Sequence, residues 1–435
     1  MKTPALPTML TLACAAVLLC APGARAQVTD ADLRDVEPFV TLFPGLRSAG
    51  PPAFLQEGIR VSYQSAGAVI GSEVPASGGG IIQYDVVRRE ATQVLAYLHS
   101  YANDGAGFYP LATDYVRGYP GLGVFWMNPG ALQNAESVAG AGLTVTRTTK
   151  QLANIGPVAV VRFQTTTQNG TTVYEFDAQT GLLVFSSISA GASAAQLVLL
   201  SVRSLTFPWA QGRAPNWVRP GAALAYSGSK TTNIPGVGPV SQPYEAAVQV
   251  TQAGARWSLA TIALRLAGQD IGAGVMATGQ AQIIGGLWVP ESALTLQLPQ
   301  DGVTIDQDSI TGATTFIGRT ADGIVLQQTT AVSRTTNIYD ARLGVLNRSI
   351  QEIQLSTALT TTDLARVTPD GPLDALASQA PIPEASGGGG GGGGDGTGDG
   401  GCAGGPLSSS PLALAVALAL LAATRRRRAT APQRQ

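Results

Sequence analysis

The chain has 435 residues, of which 45% are hydrophobic and 13% charged, and it contains 53 Gly and 27 Pro. This balance is typical of a turn-rich β protein that works outside the cytoplasm, and the length allows two or three domains. Of the 27 Lys and Arg, two lie in residues 1–26 and five follow Cys402. The other 20 Lys and Arg and all 28 Asp and Glu lie between these two segments. This part of the chain, the body, therefore carries a net charge of −8. An acidic body without a basic stripe argues against nucleic acid as a partner.

The N-terminus has the three parts of a signal peptide. Lys2 supplies the positive charge, Met9–Leu19 the apolar segment and Ala24–Ala26 the small-residue cleavage site. We therefore expect residues 1–26 to be removed between Ala26 and Gln27, and the chain to be exported. Cleavage removes two of the three cysteines, so the mature chain has no intrachain disulfide.

Two similar units are predicted to follow an N-terminal segment, residues 27–51. Unit 1 spans residues 52–206 and unit 2 spans residues 215–368, with residues 207–214 as the linker. Four landmarks recur at offsets of 160 to 163 residues: Tyr63 and Tyr226, Trp126 and Trp288, Gly142 and Gly302, Asp177 and Asp340. Nearly constant offsets favour a duplication. The alternative is chance recurrence of Tyr, Gly and Thr patterns in a hairpin-rich chain.

Each unit is predicted to be antiparallel β, with six to eight strands in a sandwich or an open half-barrel. In unit 2, Tyr244–Gln252 and Arg256–Leu266 alternate as two strands around a turn. Residues 81–100 show the same pattern in unit 1, although Val86–His99 is also compatible with a helix. The DAQTG and DARLG sequences are typical of turns. Asp is tolerated where the chain enters a tight turn, and Gly can adopt the positive φ that the turn requires.

In unit 1, the alternation along residues 93–99 predicts which side chains face the core and which face outward. Val94, Ala96 and Leu98 are expected to face the core, whereas Gln93, Tyr97 and His99 face outward, with His99 exposed. Because His99 is the only histidine of the chain, a Ser-His-Asp triad or a histidine-based zinc site is not expected.

Other chemical motifs are weak. Asp306 and Asp308 lack the ligand spacing of a calcium loop and are interpreted as acidic turn residues. Ser227 and Lys230 have the spacing of serine acyl-enzymes, but they follow a strand where that motif opens a helix. We predict no metal and no cofactor. A hydrolase with paired carboxylates remains an alternative, since two acids need no local motif.

Aromatic residues are concentrated in residues 107–126 of unit 1. Phe108, Tyr109, Tyr115 and Tyr119 lie there among glycines and prolines. Aromatic side chains on a loop give contact area suited to a glycan or protein ligand. The alternative, which we favour, is that they close one open end of a β layer.

The C-terminal region is predicted to be a tether and an anchor. Residues 369–401 form a Pro- and Gly-rich tether with eight consecutive glycines. Within residues 402–435, the 18 mostly apolar residues 407–424 are marginally long enough to span a bilayer as a helix. Arg425–Arg428 would then remain cytoplasmic and leave the body outside.

The order Gly-Cys, short apolar segment and terminal arginine cluster resembles the MYXO-CTERM class of bacterial sorting tags and the Gly-rich tags of rhombosortase-type proteases. The resemblance implies cleavage near Gly401–Cys402 by a sorting protease, with Cys402 as the processing or modification site. It also implies an inner-membrane intermediate, followed by the cell surface or outer membrane of a Gram-negative bacterium. The alternative is a plain tail anchor in which Cys402 has no role.

The sequence as a whole therefore predicts an exported, surface-anchored tandem β protein that binds a ligand or forms part of the envelope and is not an enzyme. A carboxylate-pair hydrolase and a carrier of an apolar ligand are the alternatives.

Overall fold

The structure is a computed structural model that describes residues 49–69, 76–118, 125–140, 142–168, 170–190, 193–209, 212–279, 286–299, 302–355 and 358–368. These ranges are almost entirely antiparallel β, with short helices α1 (Pro129–Leu132) and α2 (Glu291–Leu294) and a 3-10 helix, Ala135–Val138. The predicted all-β fold with two tandem units is confirmed.

The strands of unit 1 are β1 (Ile59–Val69), β2 (Ala76–Arg89), β3 (Val94–Asn103), β4 (Phe108–Gly118), β5 (Leu143–Leu152), β6 (Gly156–Thr167), β7 (Gly170–Asp177), β8 (Leu183–Ala190) and β9 (Ser193–Ser204). Those of unit 2 are β10 (Ala223–Ile234), β11 (Gly238–Ala253), β12 (Trp257–Leu266), β13 (Gln269–Gly279), β14 (Val303–Asp308), β15 (Ala313–Thr320), β16 (Gly323–Thr329), β17 (Ser333–Tyr339), β18 (Leu346–Leu355) and β19 (Ala358–Val367).

Each unit forms one open sheet. The order is β4-β3-β2-β1-β9-β8-β7-β6-β5 in unit 1 and β13-β12-β11-β10-β19-β18-β17-β16-β15-β14 in unit 2. The two orders correspond strand for strand, except that unit 2 has one more strand, β14, at its edge. Nine and ten strands exceed the predicted six to eight. Tight connections explain the excess, since only Ala267 and Gly268 separate β12 from β13.

The predicted hairpins are present in both units. Residues 86–89 and 94–99 lie in β2 and β3, so the helical alternative for this stretch is wrong. The facing of this strand is also as predicted: Val94 and Ala96 lie in the core of unit 1, and Leu98 packs against it.

The same hydrogen bonds surround the landmark residues of both units. Trp126 forms an isolated bridge with Leu182, and Trp288 forms one with Val345. The Tyr63 hydroxyl donates to the Leu183 carbonyl at 2.9 Å. The Tyr226 hydroxyl donates in the same way to the carbonyl of Leu346 at 3.1 Å. The two tyrosines are 163 residues apart in the sequence, and so are the two leucines.

One predicted correspondence does not follow the strand order. Gly142 precedes β5 and Gly302 precedes β14, but the sheet orders match β5 with β15. The similar sequences GLTVTR and GVTIDQ therefore occupy different positions in the two sheets. A strand pattern of alternating Thr and apolar residues recurs in any half-buried strand, which explains the mismatch.

Large side chains fill the interior of each unit. In unit 1, Trp126, Phe163 and Phe176 are fully buried among aliphatic residues. In unit 2, Trp288 and Tyr339 take a similar place. Burial of one such aromatic side chain contributes on the order of 2–3 kcal/mol, so these clusters supply most of the stability of each sheet.

The glycines of the two Asp-initiated turns are required sterically. Gly181 has φ of +73°, and a Cβ there would overlap the carbonyl oxygen of Met127. Gly181→Ala is therefore expected to destabilise the protein by more than about 2 kcal/mol, the sum of left-handed strain and the clash. Gly105→Ala is the matched control, because Gly105 has φ of +95° and open space around it. Chemical unfolding of both variants measures the difference, and equal losses would contradict the expectation.

Candidate functional site

The two units pack through the faces of their sheets that point away from their own cores. Val87, Leu95 and Tyr97 of unit 1 form one apolar cluster with residues of β12 and β13, namely Leu259, Val275 and Ala277. The ring of Trp257 lies 4.3 Å from the guanidinium carbon of Arg88 at the margin of this contact. The contact therefore joins the backs of two sheets rather than their hydrophobic cores.

A group of buried polar side chains lies beside this apolar contact, and we call it the interface cluster. It comprises Arg60, Gln83, Asp85, His99 and Asp308. Neighbouring strands of unit 1 supply the first four: β1 carries Arg60, β2 carries Gln83 and Asp85, and β3 carries His99. Arg60 lies opposite Asp85, and Gln83 opposite His99, in the strand register. Alternate residues of adjacent strands thus converge on one face of the sheet.

Arg60 and Asp85 form the centre of the cluster. Arg60 donates from Nε and one terminal nitrogen to the two oxygens of Asp85, both at 2.6 Å. Its other terminal nitrogen lies 3.3 Å from Oδ2 of Asp308. This is a bidentate pair with an additional carboxylate, and the Arg60 and Asp85 side chains are each 1% exposed. Such a pair is strongly favoured only because its charges are almost fully compensated.

His99 is buried, and the prediction that it is exposed is wrong. The residue is 3% exposed, and its Nε2 lies 3.0 Å from Oδ2 of Asp85. Its ring lies between Tyr97 and Tyr101, with centroid distances of 4.7 and 6.4 Å. His99 does point away from the core of unit 1, as expected from the alternation. Unit 2 covers that face, which the alternation within one strand cannot indicate.

Unit 2 contributes to this site through β14. Oδ2 of Asp308 accepts a hydrogen bond from Gln83 at 2.5 Å, while Oδ1 accepts from the backbone N–H of Ile310. Asp306 forms a bidentate pair with Arg203 of β9 at 2.6 and 2.8 Å. Asp308, the last residue of β14, thus caps the turn that follows, as the interpretation of an acidic turn residue implies. That interpretation is wrong for Asp306, which lies within the strand, and both aspartates also bind unit 1.

The arginine and amide donors keep the two buried carboxyls ionised. Burial by itself raises the pKa of Asp85, but the charge and hydrogen bonds of Arg60 outweigh it and hold that pKa well below its usual range. Burial likewise opposes ionisation of Asp308, and its hydrogen bond from Gln83 and the charge of Arg60 lower its pKa. Burial raises the pKa of the nearby Tyr101 to about 12, so its hydroxyl stays neutral.

This arrangement engages the charged side chains of the cluster in ion pairs and hydrogen bonds with one another. Both oxygens of Asp85 are bound to Arg60, and Asp85 also binds the only histidine of the chain. A general acid at neutral pH needs a raised carboxyl pKa, and the pKa values of Asp85 and Asp308 are lowered. Within the described ranges, no cluster of three or more His, Cys, Asp or Glu could hold a metal ion.

The four unit 1 residues of the cluster are not repeated at the equivalent positions of unit 2. In the register that aligns Tyr63 with Tyr226, Ala223 takes the place of Arg60 and Gln249 the place of Asp85. Ala263 stands where His99 lies in unit 1. Sequence reasoning missed the cluster, but a signal was available. A charged residue occurs in a strand with few charges, and the equivalent residue of the other unit is alanine. Such a difference indicates a role other than forming the fold that the two units share.

The aromatic residues predicted as a binding surface are only partly described. Tyr109 is buried and Phe108 is half-buried on the edge strand β4. The Phe108 carbonyl accepts a hydrogen bond from the Thr330 hydroxyl of unit 2 at 2.6 Å. Tyr115 lies on β4 opposite Tyr97, and Tyr119 lies outside the described residues. The start of β4 therefore lies against the second unit.

The predicted processing sites lie outside the described residues. This applies to Ala26 and Gln27 at the N-terminus, to Gly401 and Cys402, and to the predicted membrane span 407–424. Among the residues that are described, no helix has the length and apolar character needed to cross a membrane.

Unit 2 has an open depression of about 250 Å³ on its sheet. Ser227, Ser229, Arg348 and Asp363 line it, and Arg348 pairs with Asp363 at 2.6 Å in an exposed position. Ser227 lies on strand β10, so the serine acyl-enzyme spacing noted in the sequence does not open a helix here.

No protein-family model and no curated protein matches this chain. Among solved structures, a protein of unknown function from the DUF3598 family of Nostoc punctiforme is 13% identical, with 72% of this chain and 97% of that chain covered and a TM-score of 0.14. A protein from Nitrosomonas europaea provisionally named AttH is 9% identical, with 71% and 92% covered and a TM-score of 0.14. At these values neither likeness carries a functional argument.

Proposed function

We propose that this chain is an exported, surface-anchored protein whose two-unit β body binds a ligand or forms part of the envelope without catalysing a reaction. The observation that supports this most directly is the engagement of its ionisable groups. Arg60, Asp85, His99 and Asp308 are buried and bound to one another, which suits a rigid scaffold better than an active site.

The destination of the protein is part of the proposal. Export would follow removal of residues 1–26, and the body would reach the cell surface on the Gly-rich tether 369–401. Cys402 would be the site where a sorting protease cuts or modifies the tail, after an inner-membrane stage held by residues 407–424. The acidic body, the tether and the terminal arginines of the sequence support this route.

Protease treatment of intact producing cells tests the proposal. We expect the wild-type body to be degraded from outside, with the surface form lacking residues 407–435 by intact mass, and Cys402→Ala to remain protected in the inner membrane. Normal surface delivery of Cys402→Ala would show a plain anchor. The purified protein should also turn over none of a panel of chromogenic esters, glycosides and phosphoesters. Turnover of any of these substrates by the purified wild-type protein would support the hydrolase alternative instead.

A further inference from the structure

We propose that β14 is a latch: a strand present only in unit 2, whose aspartates fix that unit against the back of unit 1 in one orientation. The inference concerns the coupling of the two units and does not depend on the proposed function.

The first support is that β14 is an addition to the common unit. Arg147 of β5 donates to the carbonyl of Leu132, the last residue of α1, 15 residues earlier. Arg319 of β15 donates to the carbonyl of Leu294, the last residue of α2, 25 residues earlier. The segment between the last residue of the short helix and the arginine that binds its carbonyl is therefore ten residues longer in unit 2. The sheet orders place β14 within this longer segment.

The second support is that the added strand carries most of the ion pairs that cross between the units; Arg256 with Glu57 at 3.2 Å is another such pair. Asp306 binds Arg203, and Asp308 binds Gln83 and Arg60. Arg203 is also 3.8 Å from Asp308. The two aspartates therefore contact side chains of the adjacent strands β1, β2 and β9. All three unit 1 partners lie on the face that points away from the core of unit 1. Arg60 and Gln83 also bind Asp85 and Ser62 within unit 1, and the docked unit 2 supplies a further partner for each of them.

The third support is that most of the remaining contact between the units is apolar; the directional contacts outside β14 include Thr330 with the Phe108 carbonyl and Arg256 with Glu57. The apolar cluster is mostly aliphatic and comprises Val87, Leu95, Leu259, Val275 and Ala277 together with the buried Tyr97. Hydrophobic burial is non-directional, whereas a bidentate ion pair is satisfied in one geometry. We infer that burial supplies the attraction between the units and that β14 selects the orientation.

Hydrogen exchange of the full-length chain tests the latch. In Asp306→Asn/Asp308→Asn, we expect amides of the interface strands β2, β3 and β12 to exchange at least tenfold faster, with core amides of β7 and β17 unchanged. The matched control is Asp363→Asn, which removes an exposed ion pair of unit 2 and should change neither set. Limited proteolysis between residues 205 and 222, the connection of the units, should become faster only in the double variant.

A charge exchange separates the latch from general destabilisation. Asp306→Arg and Arg203→Asp should each accelerate interface exchange, and the two together should restore part of the slow exchange. Recovery is partial because position 203 also lies beside Asp308. The latch is refuted if Asp306→Asn/Asp308→Asn exchanges like Asp363→Asn. It is also refuted if core and interface amides accelerate together, since that would mean β14 stabilises the units themselves.

Discussion

Replacing Arg60 with methionine is expected to lower the free energy of unfolding by about 3–5 kcal/mol, the largest loss we predict for a single side chain. Arg60 is 1% exposed, and the change would leave Asp85 and Asp308 as buried carboxylates without their main cation. The methionine fills most of the space, so the loss reports the uncompensated charge rather than a cavity. Chemical unfolding at neutral pH measures it.

Two variants show whether charge is the cause. Arg348→Met removes an arginine of similar pairing but exposed position, and it should cost less than about 1 kcal/mol. Arg60→Met/Asp85→Leu removes the central pair together and should recover part of the loss. A double variant less stable than Arg60→Met would show that packing around Arg60, and not its charge, holds this region.

Acidification is expected to destabilise the protein steeply below about pH 5 through the carboxyls of the interface cluster. Arg60 and Gln83 lower the pKa values of Asp85 and Asp308 in the folded state against the opposing effect of burial. The unfolded chain, with aspartate pKa values of about 3.9, therefore binds more protons in acid than the folded one. These carboxyls stabilise the protein fully above their pKa in the unfolded state. The stabilisation is lost as the pH falls toward their pKa values in the folded state. Urea unfolding midpoints from pH 7 to pH 3 measure the slope.

The comparison variant for this titration is Asp85→Asn/Asp308→Asn. It should be less stable than wild type at pH 7, and its midpoint should change less between pH 5 and pH 3. Asp363→Asn, which removes an exposed carboxyl, should follow the wild-type curve closely. Parallel curves for wild type and the double variant would contradict the role of these two carboxyls.

Much of the fold was predictable because it depends on local patterns. Alternation along Tyr244–Gln252 favours a strand, since the side-chain period of two is a property of the backbone. Val94–His99 is also compatible with a helix, and its likeness to the hairpin of unit 2 favours a strand there. The recurrence of Tyr63 at Tyr226, and of Asp177 at Asp340, indicated the duplication, and the units that these residues belong to have matching strand orders. Strand number was underestimated because turns as short as two residues leave little mark in composition.

The candidate site was not predictable in the same way. Arg60 and Asp308 are 248 residues apart, and nothing local to either residue announces the other. His99 was assigned to the correct face but to the wrong environment, because alternation tells which side of a sheet a residue lies on and not what covers that side. The strand β14 was matched with β5 on sequence, whereas the sheets show it to be an addition.

The sequence by itself therefore determined the all-β class, the two units and their main hairpins. These properties follow from composition and from periodicities within about ten residues of chain. Only the tertiary structure decided that the backs of the two sheets face each other, that β14 reaches across to Arg60 and Arg203, and that His99 is enclosed. The physical reason is that burial and ion pairing depend on which surfaces meet, and the back of each sheet is amphipathic enough to be compatible with water until the other unit covers it.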